Sequence, residues 1–269
     1  DIPSFTDALF ETISGFTTTG ASILKDVESL SRCSMFWRCF THWIGGMGVI
    51  VFLMTVLPLT GGSWIHLLRA ESPGPSVGKL VPRMRHTAGI LYLIYLCMTI
   101  IEIVLLLFGG MNWFDAVTIS FGTAGTGGFS ILNSGFVTYS SYVKIVVAVF
   151  MMLFGVNFNV YFLMLNRKFV QALRCEELRY YLMIIGISTL IITLNILSIC
   201  GSFGKALEEA FFQVSSIITT TGFASADFNL WPQTSKTILV LLMFIGACAE
   251  STGGGIKVCL LYTSDAADD

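Results

Sequence analysis

The apolar positions of this chain fall in long unbroken runs rather than in alternation or on one helical stripe. Runs at Trp43–Leu59, Ala88–Phe108, Val143–Leu165 and Tyr181–Ile199 approach or reach the roughly 20 residues that cross hydrocarbon. A fifth begins at Thr237 and is interrupted by glycines near its middle. Between the runs stand shorter, part-apolar segments, "FTDALFETIS", "WFDAVTIS" and "ALEEAFFQVSS". These are too short to span and predict half-helices that enter the membrane from one side and stop.

A threonine- and glycine-rich patch follows each half-helix: "SGFTTTGAS" at Ser14–Ser22, "AGTGGFS" at Ala124–Ser130 and "ITTTGFASADF" at Ile218–Phe228. Asp7 to Gly20, Asp115 to Gly128 and Glu209 to Gly222 are all separated by 13 positions. One geometry used three times is an internal repeat. Each unit reads as half-helix, loop and span, and the second and third are also preceded by a span.

Basic residues set the orientation. Arg69, Lys79, Arg83 and Arg85 follow the first run, and Arg167, Lys168, Arg174 and Arg179 follow the third. The positive-inside rule makes both loops cytoplasmic. All three patches then lie towards the outside.

Composition agrees with a membrane protein. Hydrophobic residues make up 54% of the 269 positions and charged ones 12%, about half the share usual in soluble domains. The net charge of −2 and the lack of a basic block give no reason to expect a nucleic-acid partner. None of the 7 cysteines forms a CxxC, and the 3 histidines are scattered, so the spacing of a metal site is missing. No serine lies in a GxSxG elbow, and "ESTGGGIK" is not a phosphate-binding loop. The expectation is no enzyme and no cofactor. The chain opens without Met or a basic leader, which reads as an internal start, and residues 259–269 turn abruptly small and acidic, which reads as a non-native tail.

Non-helical backbone at membrane depth is tolerated only where it is buried in protein or lines water. Carbonyls from several such loops can converge on an axis and replace the water around a cation. Glycine permits the backbone conformations this needs, and threonine hydroxyls add oxygens or hold the loop. A half-helix entering from outside points its partly negative C-terminal end inward, which favours a cation. The outer acids, among them Asp7, Glu11, Asp26, Glu28, Asp115, Glu208, Glu209 and Asp227, could concentrate cations or could simply form a solvated rim.

The three patches resemble successive selectivity-filter segments of the Trk/Ktr potassium-uptake family, in the style of its TrkH-like members. "FWRCFTHWIGGMGVIVF" resembles the helix after the first filter, and "MFIGACAESTGGGIK" the broken middle of the third pore helix. The resemblance implies an all-α integral membrane fold of tandem helix–pore-helix–filter–helix repeats around one pore, as in potassium channels. In this chain it implies a first unit over 1–60 without its leading helix, a second over 88–165, a third over 181–258, cytoplasmic loops at 61–87 and 166–180, and no fourth unit. The filter glycines map to Gly20, Gly128 and Gly222, with Gly127 as an alternative in the second loop. Thr18, Thr19, Thr126, Thr220 and Thr221 would supply or support the carbonyls. In relatives the glycine-rich interruption forms a gate beneath the filter; Gly246, Gly253, Gly254 and Gly255 match it, while Glu250 stands where the family pattern has glycine. The implied activity is potassium uptake across the bacterial cytoplasmic membrane, with potassium as transported substrate. The implied partners are membrane lipid, a second copy in a homodimer and a cytoplasmic nucleotide-binding regulatory subunit. Coupling to sodium or protons is not legible. The alternatives are a transporter of sodium or another monovalent cation, or a non-conducting membrane scaffold.

Overall fold

The structure, a computed structural model, describes residues 1–48 and 81–263. It is all helical: α1 (Phe5–Phe16), α2 (Arg32–Gly46), α3 (Val81–Phe108), α4 (Trp113–Ala124), α5 (Ser141–Phe154), α6 (Phe158–Leu165), α7 (Phe169–Leu173), α8 (Glu176–Cys200), α9 (Phe203–Ile218), a 3-10 turn at Phe228–Leu230, α10 (Gln233–Phe244) and α11 (Val258–Thr263). Much of the run predicted from Trp43 to Leu59, and loop residues 61–80, lie outside the described residues. The part that is described shows α2 starting at Arg32, well upstream of the apolar run, because the Ser31 hydroxyl caps it by accepting from Ser34 N.

Among the described residues two helices are long and apolar enough to cross a membrane, Gly89–Phe108 and Glu176–Cys200. The run at Val143–Leu165, predicted as one span, is not one helix. It breaks between α5 and α6, which are bent by 89°. Asn157 caps α6 through its side chain, accepting from Asn159 N at 2.9 Å. The backbone freed at the break is satisfied from elsewhere: Cys248 N donates to the Gly155 carbonyl at 3.0 Å and the Thr252 hydroxyl to that of Phe154 at 3.3 Å.

The half-helices α1, α4 and α9 each pack on their own closing helix, α2, α5 and α10, and α4 and α9 also pack on the leading helices α3 and α8. Between units the rule is equally regular. α2 of the first lies on α4 of the second, and α5 of the second lies on α9 of the third. The units therefore touch one another in chain order.

The solvent this fold was built for shows in α8. It exposes Leu182, Met183, Ile187, Leu190, Ile191 and Leu194 while burying Ser188, Thr189 and Thr193. An outside greasier than the inside suits lipid, with the Thr193 hydroxyl turned back onto the Thr189 carbonyl at 2.7 Å.

Candidate functional site: three threonine- and glycine-rich segments and the loop against them

Each half-helix ends the same way. The last turn closes through Thr18 N to Gly15 O (3.1 Å), Thr126 N to Thr123 O (3.1 Å) and Thr220 N to Ile217 O (3.0 Å). The next amide, of Thr19, Gly127 or Thr221, reaches back to Ser14, Gly122 or Ser216 at 2.9–3.1 Å. Thr18, Thr126 and Thr220 then sit in the left-handed region at φ of 52, 49 and 58°. That is a strained place for a β-branched residue, and strain of this kind persists where the surroundings fix it for function. Two residues on, Gly20, Gly128 and Gly222 are left-handed again, at 72, 77 and 85°, with a negative φ between them. Alternating the sign of φ aligns successive peptide groups instead of alternating them as a strand does. Gly128, not Gly127, takes the conformation shared by the other two glycines.

The segments touch in order. A Cβ on Gly20 would lie 1.9 Å from the Gly127 carbonyl oxygen, and one on Gly128 would lie 1.9 Å from that of Thr221. Among the described residues nothing lies within 4 Å of a Cβ built on Gly222. Three backbone segments thus stand side by side, with the C-terminal ends of three half-helices at their base.

Several braces were invisible in the motif. The Ser14 hydroxyl donates to the Ala21 carbonyl and that of Ser216 to Phe223, both at 2.6 Å, tying each half-helix across its own filter turn. The matching residue in the second unit is Gly122, where the Phe223 ring of the third unit fills the space. Thr17 pairs with Thr19 and Thr219 with Thr221, hydroxyl to hydroxyl, at 2.8 Å. The second unit has Gly125 and Gly127 at those places, and His42 of α2 occupies the room.

The glycine-rich interruption lies directly against the inner end of these segments. Between α10 and α11 the chain leaves the helix and pairs with itself, Gly246 N donating to Ile256 O at 2.8 Å. The Thr126 hydroxyl of the second filter donates to the Thr252 carbonyl at 2.8 Å. Gly254 N donates to the Thr220 hydroxyl of the third at 2.7 Å. Gly253 is wedged against Ala247 and the Thr219 carbonyl, and Gly255 is left-handed at 75°. On the far side, Glu177 accepts from Ala249 N at 2.7 Å and from the Asn157 amide at 3.2 Å. Glu250 is left-handed at 51°, its carboxylate on the Asn159 amide and its carbonyl on Phe158 N at 3.1 Å. The loop is therefore bonded at once to two of the threonine- and glycine-rich segments and to the break between α5 and α6.

The family described as "TrkH: Cation transport protein" matches residues 2–266. The chain belongs to this family. Among relatives, the Trk system potassium uptake protein TrkH of Escherichia coli K12 is 37% identical over 262 residues, covering 95% of this chain and 54% of the relative. The Trk system potassium uptake protein TrkI of Halomonas elongata is 32% identical over 257 residues, covering 95% and 52%. The crystal structure of the potassium transporter TrkH from Vibrio parahaemolyticus superposes with a TM-score of 0.81 at 34% identity, covering 98% of this chain and 55% of that one. The chain spans about half the length of the curated relatives it matches. Membership of the TrkH family together with the apolar helices makes this a multi-pass protein of the bacterial inner membrane.

Two of the outer acids are buried and paired rather than solvated. Glu11 pairs with Arg38 at 2.9 Å and Glu209 with Lys144 at 2.9 Å, all four side chains buried. They lie behind the filter segments and cannot act as a solvated rim. Asp26 stays outside, fully exposed, and with Val27 and Glu28 it holds Asn133 of the loop after the second filter.

Proposed function

We propose that the chain forms three of the filter segments of a channel-like pore through which potassium enters the cytoplasm, with the fourth supplied by residues outside this chain. One observation carries the reading: the same strained threonine and left-handed glycine recur at the end of three half-helices, and their backbones abut in sequence. The open side of Gly222 and the greater length of the relatives support a fourth segment. The units are those read from the sequence, and the filter residues are Thr18, Thr19 and Gly20, Thr126 and Gly128, and Thr220, Thr221 and Gly222.

A cation arriving from outside exchanges part of its water for filter carbonyls. The half-helix C-termini lower its energy there, because their partial negative charge points at the site. At 100 mV, inside negative, crossing gains roughly 2.3 kcal/mol per charge. Leaving the filter inward requires the 245–257 loop to move, and its bonds to Thr126 and Thr220 couple that motion to the filter itself. Gly246, Glu250, Gly253, Gly254 and Gly255 form this gate. The family resemblance extends the reading to a homodimer served by a cytoplasmic nucleotide-binding subunit.

The test is rubidium uptake by the full-length protein in liposomes, with sodium or potassium as competitor. Potassium should compete at least ten times better than sodium. Equal competition would replace this reading with a less selective monovalent-cation pore, and no uptake by well-inserted protein would replace it with a scaffold.

A further inference from the structure

Helix α2 carries Arg38 and, one turn on, His42, so both face the same way. What they face is not the first filter alone. The Glu11 carboxylate of α1 accepts from the Ser22 hydroxyl and from Ile23 N, both at 2.7 Å, so it holds the outer end of the first filter. Its other oxygen accepts from Arg38 Nε at 2.9 Å. The Arg38 NH1 group then donates to the Ser130 carbonyl at 3.2 Å, at the outer end of the second filter. Ser22 and Ser130 occupy the same place in their units, two residues past Gly20 and Gly128. The bridge from Ser22 through Glu11 and Arg38 to Ser130 therefore joins equivalent points of two neighbouring filters.

The guanidinium makes a second contact. Its central carbon lies 3.6 Å from the centre of the Phe129 ring, and Phe129 directly follows Gly128. His42 stacks on the same ring at 3.9 Å. A Cβ on Gly127 would lie 2.3 Å from His42 Nδ1. α2 thus touches the second filter at Gly127, Phe129 and Ser130, and reaches the first through an ion pair. The next joint is built differently. Lys144 of α5 reaches Glu209, and Glu209 accepts from the Ser225 hydroxyl just past the third filter, while the Ala224 carbonyl accepts from Phe136 N of the loop after the second at 2.8 Å.

We propose that Arg38 is a positioning residue for cation selection, which with Glu11 fixes the distance between the first and second filter segments at their outer ends. It touches no ion; it acts through Ser130 and Phe129 on one side and Glu11 on the other. Lysine cannot replace it, because a point-like ammonium gives neither the planar fork that serves Glu11 and Ser130 together nor the flat stack on Phe129.

The inference rests on the filter reading, and the experiment separates the two. Rubidium uptake with sodium competition is measured per inserted molecule in the full-length protein, for the parent, Arg38→Lys and the double variant Glu11→Gln with Arg38→Gln. The double variant leaves no orphaned charge in the membrane, so it tests selection even if the single change inserts poorly. The parent should discriminate and both variants should lose about tenfold in discrimination, the worth of one charge-assisted hydrogen bond. Less inserted protein with unchanged discrimination per molecule would overturn the proposal and leave Arg38 a stabilising ion pair. A parent that does not discriminate would instead overturn the filter reading beneath it.

Discussion

Replacing Gly128 by alanine tests the filter at its tightest contact. The added Cβ would be 1.9 Å from the Thr221 carbonyl oxygen, where real Cβ atoms essentially never come below 3.0 Å. Backbone has to move by about 1 Å, since the atom met belongs to a peptide group and not to a flexible side chain. Alanine must also hold φ near 77°. The left-handed conformation costs roughly 1–2 kcal/mol and overpacking about 1–3 kcal/mol, so the variant should be about 2–5 kcal/mol less stable. The displaced carbonyl belongs to the third filter, so selection should suffer as well as stability; about 1.4 kcal/mol taken from the difference between two cations is tenfold in their ratio. Gly186→Ala is the control, because Gly186 lies within α8 with none of the described residues within 4 Å of the added atom and should gain slightly in helix propensity. Denaturant midpoints in mild detergent and rubidium uptake with sodium competition read the two effects. Full potassium preference in a folded Gly128→Ala protein would refute the idea that these abutting carbonyls select the ion.

Three further outcomes follow from other parts of the structure. Glu250→Gly relieves a left-handed carboxylic residue and removes its contact with Asn159, so single-channel open time per molecule should rise several-fold; an unchanged open time would detach Glu250 from the gate. Asp26 is held below the ordinary carboxylate range, chiefly by the Asn133 amide at 2.6 Å, so its contribution is complete above the unfolded carboxylate range and is lost as pH falls through the lower folded value. Protection of the Asp26–Leu30 amides, relative to their intrinsic exchange at each pH, should therefore fall in acid, and Asp26→Asn should weaken that dependence. A cysteine placed at exposed Gln171 should react with an impermeant maleimide only from the cytoplasmic side, and labelling of intact cells would reverse the orientation.

What could be read from the sequence was whatever the membrane dictates locally. Hydrocarbon thickness makes the spans visible in α3 and α8, and the 13-residue recurrence locates the three left-handed turns that end the half-helices. Glycine at 20, 128 and 222 was legible from its recurrence, and at 20 and 128 a left-handed backbone against a neighbouring carbonyl leaves no room for a side chain. The break at Gly155–Asn157 was not, since α5 and α6 are apolar on both sides of it, and only the distant carbonyls and amides of the 245–257 loop make it tolerable. Glu11 and Glu209 were misplaced for a related reason. Counting residues puts an acid on the outward part of a half-helix but says nothing of Arg38 or Lys144 arriving from another helix. The second filter shows how far the point goes. Its motif departs from TTTG to GTGG, which read alone looks like a weakened repeat. In the structure the two missing side chains are the space His42 needs, and the missing serine at Gly122 is the space Phe223 needs. The three loops share one backbone because their neighbours differ, so the departures in sequence and the constancy of conformation have the same cause.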